Sequence, residues 1–166
     1  MTVKKYEMMV NENRLPYLIA IEDTTITDDQ TFSNPNIIAK IIREIYHADQ
    51  LPEEHVYLLA FDMKLHLLGL FELSHGTNQM SVVNSAQVLS RILLCGASAF
   101  CIVHNHPSGD VHPSEADNSI TAQLALAADL CSVDFCDHII IAGAHKNRYY
   151  SYAEESPVLS NPQCYV

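Results

Sequence analysis

Fourteen residues, His104-Asn105-His106-Pro107-Ser108-Gly109-Asp110-Val111-His112-Pro113-Ser114-Glu115-Ala116-Asp117, constrain the fold more than any other stretch of this chain. They follow Ala99-Phe100-Cys101-Ile102-Val103, a short apolar run that reads as a buried strand delivering His104 at its C-terminal end. They close on Ser114-Glu115-Ala116-Asp117, the cap of a helix that runs to about Leu130 with Ile120, Leu124 and Ala127 inward. Residues i and i+2 of an extended segment point to the same side, so His104 and His106 can aim both imidazoles at one ion. Pro107 stops the strand, and Ser108-Gly109-Asp110 with His112-Pro113 turns the chain back. Asp117 then returns a carboxylate to the same point from the first helical turn. The fold must place that strand end beside that helix start. Two nitrogens and an oxygen suit zinc best, with iron, manganese or cobalt as alternatives, and a water fills the remaining position. Open sites of this kind belong to catalysis, because structural zinc is usually closed by protein ligands alone.

Each part has a plainer reading. Ser114 with Asp117 three residues on is close to a capping box, in which the acid reaches back to the cap backbone. Lone histidines are more often satisfied polar residues than ligands. The combined pattern of strand-end histidines, proline, serine and aspartate favours the metal. His104-Asn105-His106 also spells the letters of the HNH nucleases, but that motif is spread over a ββα unit, so the match is a coincidence. His138 lies in an apolar strand and reads as a partner behind the ligands rather than a ligand. His112 sits in the loop, exposed, and His47, His55, His66, His75 and His145 show no paired spacing.

The rest of the chain alternates strands and helices. Leu15 to Ile21 reads as a strand, followed by an acidic, threonine-rich loop from Glu22 to Thr31. Ser33-Asn34-Pro35 starts a helix to about His47, with Ile37, Ile38, Ile41, Ile42, Ile45 and Tyr46 at helical spacing. Val56 to Phe61 is a nearly continuous apolar run and reads as a buried strand; Asp62-Met63-Lys64 turns it into a second strand over Leu65 to Leu73. Asn84 or Ser85 caps a helix burying Val88, Leu89, Ile92 and Leu93 and ending at Gly96. Phe135 to Ala142 and Arg148 to Tyr152 close the sheet. The expected class is α/β, a mixed sheet packed with helices. The expected division is an extension over 1–33, a metal-binding domain over 34–153 and a flexible tail over 154–166.

Composition sets the limits. The 166 residues suffice for one domain with a substantial core. Mean hydropathy is +0.03, and no apolar run approaches the roughly 18 residues of a membrane span. The N-terminus lacks the apolar stretch of a signal peptide. Five cysteines, none in a C-x-x-C pair, read as reduced, buried small hydrophobes of a cytoplasmic protein. The formal net charge of −11, with nine Lys and Arg, is a poor start for DNA binding, which releases counterions through a basic face. No membrane partner is expected, and a homodimer is the working expectation for assembly.

His104-x-His106-Pro107, six residues, Ser114, two residues, Asp117 resembles the JAMM (MPN-type, JAB) metalloprotease motif without a gap. The fuller string from His104 to Asp110, with Pro113-Ser114 and Asp117, resembles the RadC family in particular. Asp137-His138-Ile139-Ile140-Ile141, Tyr150-Ser151 and Gly76-Thr77 add to the likeness, which runs from about Pro35 to Ala153. The resemblance implies a three-layer architecture like that of cytidine deaminases. It implies one zinc ion on His104, His106 and Asp117, with a water as fourth ligand. It implies Ser114 as an oxyanion helper and an upstream glutamate as general acid/base. Glu54 takes that place from its spacing to Asp62; Glu53 is the adjacent rival, and either read alone is a solvated acid at a strand entry. The implied activity is hydrolysis of a peptide or isopeptide bond in a peptide or protein substrate. The alternative is a repair or recombination accessory with little turnover. The chain departs from the family pattern in carrying Asn84-Ser85-Ala86-Gln87 where members open a helix with a basic Pro-Arg-Glu segment. Met1 to Phe32 is also too short for the helix-hairpin-helix region of full-length members. Both departures weaken a DNA role.

Overall fold

The computed structural model of the protein describes residues 2–25, 32, 34–76, 83–143 and 147–165. The elements run β1 (Thr2–Val10), β2 (Pro16–Thr25), α1 (Pro35–Tyr46), β3 (Glu54–Phe61), β4 (Leu67–Gly76), α2 (Ser85–Cys95), β5 (Ala99–His106), α3 (Glu115–Leu130), β6 (Asp134–Ala142), β7 (Tyr149–Ser151) and α4 (Tyr152–Glu155). The strands form one seven-stranded sheet in the order β2-β1-β4-β3-β5-β6-β7. β3 is antiparallel to both neighbours, and β5 and β6 run parallel, so the sheet is mixed.

Alternation along the central strands sorts side chains onto two faces. Tyr57, Leu59 and Phe61 of β3, with Cys101 and Val103 of β5, pack against Ile38, Ala39, Ile41 and Ile42 of α1. Val56, Leu58 and Ala60, with Phe100 and Ile102, pack against Val88 and Ile92 of α2 and Leu124 and Ala128 of α3. The result is helix on sheet on helix, the three layers expected. Strands buried on both faces read as continuous apolar runs, which is why β3 and β5 were legible. Even-numbered residues of β3 and β5 face α2 and α3, and that face continues past the apolar core to Glu54 and to His104 and His106.

Helix ends follow local chemistry. Asn34 accepts from the Asn36 amide at 2.9 Å to cap α1, Pro35 needs no hydrogen-bond partner at the first position, and His47 ends the helix with φ at 51°. Asn84 caps α2 in the same way, and Gly96, at φ 66°, closes it.

Several details differ from expectation. Met1 to Phe32 holds a hairpin, β1 with β2, joined to the sheet by parallel pairing of Lys5 with Leu70. β1 was missed because Lys4, Lys5 and Glu7 break its apolar alternation. Leu93 is exposed on α2, which turns Val88 and Ile92 into the core with Leu89 partly buried beside them. On α3 the buried alanines are Ala122 and Ala128, with Ala127 only half-buried. Cys131 and Cys164 are exposed rather than buried. The loop over 26–31, Ser33, Thr77 and His145 lie outside the described residues. The segment after Ala153, expected to be flexible, instead packs: Val158 is buried with Ala122, Ile140 and Tyr152.

That packing is anchored by Asp137, which accepts from Ser151 Oγ at 2.6 Å and the Ala153 amide at 2.9 Å. Burial pushes its carboxyl up to about 6, against hydrogen bonds that lower it. Because the folded value exceeds the unfolded one, the fold favours protonated Asp137. That stabilisation is complete below the unfolded value and is lost as pH rises through about 6. Urea unfolding of wild type and Asp137→Asn across pH 4–7 should show the wild type's relative stability falling with pH, by up to roughly 3 kcal/mol. A difference independent of pH contradicts this.

Candidate metal centre

β5 ends at His106, and the chain reverses into α3 through a loop held by its own hydrogen bonds. The His106 carbonyl accepts from the amides of Gly109 at 3.0 Å and Gly143 at 2.8 Å. Gly109 takes φ at 77°, a conformation that favours glycine. A Cβ on Gly143 would lie 2.8 Å from both the His106 carbonyl oxygen and Pro107 Cα, so only glycine fits behind this loop. Asp110 accepts from the His112 amide and ring, which turns its backbone carbonyl toward His106.

Those contacts fix the histidine tautomers. His106 Nδ1 lies 2.7 Å from the Asp110 carbonyl oxygen, which can only accept. The hydrogen is therefore on Nδ1, and Nε2 carries a bare lone pair. His104 is set by a longer relay. Thr121 Oγ donates to the Asp117 carbonyl at 2.6 Å, so it accepts from His138 Nδ1, also at 2.6 Å. His138 Nε2 is then the acceptor for His104 Nδ1–H at 2.8 Å, and His104 Nε2 is bare. Burial and the neighbouring His104 hold His138 well below the usual histidine range, consistent with a neutral ring. That ring stacks on Tyr152 at 5.1 Å, 8° from parallel, and Tyr152 is held by its hydroxyl on Asn118.

Asp117 joins them from the first turn of α3. The Ser114 amide and hydroxyl donate to its Oδ2 at 2.7 and 2.6 Å, and its own amide donates to Ser114 Oγ at 3.1 Å. The capping box is complete, so the plainer reading of Asp117 and the metal reading occupy the same carboxylate. Oδ1 is buried without a hydrogen-bond partner and faces His104 Nε2 at 3.2 Å. Burial raises this carboxyl, and the hydrogen bonds from Ser114 oppose that rise. Burial, then His104, lowers the His106 imidazole.

Three bare acceptors thus converge. His104 Nε2 and His106 Nε2 are 2.9 Å apart, and Asp117 oxygens lie 3.2 and 3.7 Å from them. Donors about 2.0–2.1 Å from a tetrahedral ion are separated by about 3.3 Å, so the set fits a divalent metal such as zinc. Among the described residues this is the group that could hold an ion, and His138 stands outside it.

Glu54 opens β3 on the same face, two residues before Val56, which pairs with His104. Its charge acts on His106, and its Oε2 is buried with no hydrogen-bond partner. Glu53 is exposed. Ser114 caps α3, with its hydroxyl hydrogen directed at Asp117. Sequence reasoning did not reach Thr121, Asn105, Tyr152 or Gly143. Thr121 carried one usable signal, lying four residues after Asp117 on the same helix face.

The family model described as the RadC-like JAB domain matches residues 32–157. A UPF0758 protein of Actinobacillus pleuropneumoniae serotype 5b is 35% identical over 104 residues, covering 62% of this chain and 46% of that one. One from Thermotoga maritima is 35% identical over 105 residues, covering 63% and 46%. One from Chlorobaculum tepidum is 30% identical over 128 residues, covering 74% and 56%. The chain spans about half the length of these curated relatives.

The relay predicts that Thr121→Val frees His138 to take either tautomer. Zinc affinity, measured by competition with a chelating dye, should fall about 10–100-fold, and Thr121→Ser should restore it. Equal affinity in the valine variant contradicts the relay.

Proposed function

The chain belongs to the RadC-like JAB domain family, and from that premise we propose that it is a zinc-dependent hydrolase of peptide or isopeptide bonds. The observation that carries the reading is the convergence of His104 Nε2, His106 Nε2 and an unpartnered Asp117 oxygen, with the buried, unpartnered Glu54 Oε2 on the same face of the sheet. A bound zinc ion would supply Lewis acidity, lowering the pKa of water and polarising the scissile carbonyl.

The chain's own residues do the rest. Glu54, on the same sheet face as the two histidines, accepts the proton of the attacking water and returns it to the leaving amine. Ser114 Oγ exchanges its bond to Asp117 for the developing oxyanion. Asp110 and the Thr121–His138 relay keep both imidazoles in the ligating tautomer. The substrate is a peptide or protein. The five cysteines include no disulfide, which suits a reducing compartment such as the cytoplasm. A role as a DNA-repair accessory has a net charge of −11 against it.

Dialysis against zinc should leave one equivalent on the wild type and on Glu54→Gln, and His104→Ala should lose it. Wild type should cleave members of a peptide and isopeptide library, and Glu54→Gln should slow cleavage by at least about 100-fold. Absence of bound metal sinks the reading, as does cleavage that survives Glu54→Gln.

A further inference from the structure

Asn105 sits between the two histidine ligands, yet alternation places it on the opposite face of the sheet, where it is fully buried. Its side chain makes two hydrogen bonds, both to the backbone of β3 and its entry. Oδ1 accepts from the His55 amide at 2.8 Å, and Nδ2 donates to the Glu53 carbonyl at 2.9 Å. The two peptide groups it grips flank Glu54 on either side.

The ladder between β3 and β5 runs from Phe61 opposite Ala99 to Val56 opposite His104, and goes no further. On its other side, Glu54 remains paired with Gly76 of β4. The Asn105 amide thus takes over where the backbone ladder stops, and closes the β5 side of the strand end that carries Glu54. Glu54 Oε2 has no hydrogen bond of its own to fix it. Its position relative to the metal ligands therefore depends on the backbone being held.

We propose that Asn105 is a positioning residue for Glu54: its carboxamide clasps the backbone on both sides of Glu54 and couples it to the strand bearing His104 and His106. The proposal rests on the reading of Glu54 as the proton carrier. It also explains the residue type. Aspartate has the shape but no donor, serine and alanine cannot span both groups, and glutamine is one methylene too long. Because Asn105 contributes nothing to the ligand set, its loss should separate metal binding from proton handling.

The test uses the full chain loaded with cobalt, whose visible spectrum reports the coordination sphere and the ionisation of groups touching it. Cobalt affinity should be the same within about threefold in wild type, Glu54→Gln and Asn105→Leu, since the ligands are intact. Leucine matches the shape of asparagine and adds no charge, so the midpoint of the spectral pH titration should move by about one unit or more in Glu54→Gln and in the same direction, by at least half as much, in Asn105→Leu. If Glu54→Gln moves the midpoint and Asn105→Leu does not, the proposal falls while the metal reading stands. If cobalt is not bound, or Glu54→Gln leaves the midpoint in place, the underlying reading falls and takes the proposal with it. Wild-type hydrogen exchange keeps the test decisive even if the variants fail to fold. The Asn105 side-chain amide and the His55 backbone amide should be protected together, and rapid exchange of either overturns the clasp.

Discussion

Two imidazole nitrogens 2.9 Å apart, each with its ring hydrogen turned away to a different acceptor, repel one another unless a cation lies between them. A carboxylate oxygen without a hydrogen bond adds a third lone pair to the same point. Burying such a set costs several kcal/mol per unpaired charge, and a fold keeps it only when something offsets that cost. Much of the surrounding structure serves to hold these acceptors bare. The Asp110 carbonyl takes one imidazole hydrogen, and His138 takes the other. The capping box of α3 spends one oxygen of Asp117 on Ser114 and leaves the second directed inward.

The three-layer fold makes this arrangement possible by separating tasks across the sheet. The face toward α2 and α3 carries the apolar core up to Val56 and Ile102 and then changes to His104, His106 and Glu54. The face toward α1 is apolar along Tyr57, Leu59, Phe61, Cys101 and Val103, and beyond them Asn105 reaches sideways to the neighbouring backbone. Gly143 lets β6 approach the reversal after His106 closely enough to share its carbonyl. Behind His104, Tyr152 stacks on His138, so the segment after β7 supports the site rather than hanging from it.

Much of this was legible in the sequence, and the reasons are local. Continuous apolar runs marked β3, β5 and β6 because those strands are buried on both faces. Asn34-Pro35, Asn84 and Ser114 marked helix starts through chemistry confined to a few adjacent residues. The convergence of His104, His106 and Asp117 was legible because strand alternation and a helix cap fix side-chain direction within fourteen residues. What was not legible depends on contacts distant along the chain. β1 is stabilised by pairing with β2 and β4 rather than by its own alternation. Asn105 was passed over as the residue between two histidines, because its partners lie about fifty residues upstream. Val158 gave no local sign that Ala122 and Ile140 would bury it.

The claim on which everything else rests is that His104, His106 and Asp117 hold one metal ion through nitrogen and oxygen. X-ray absorption at the zinc edge of the loaded protein tests it most directly. The account predicts four light-atom neighbours at about 2.0–2.1 Å, two of them with the outer-shell scattering of imidazole. A sulfur neighbour at about 2.3 Å would place the metal on the cysteines, and a zinc surrounded by water alone would leave the three acceptors without the cation they require.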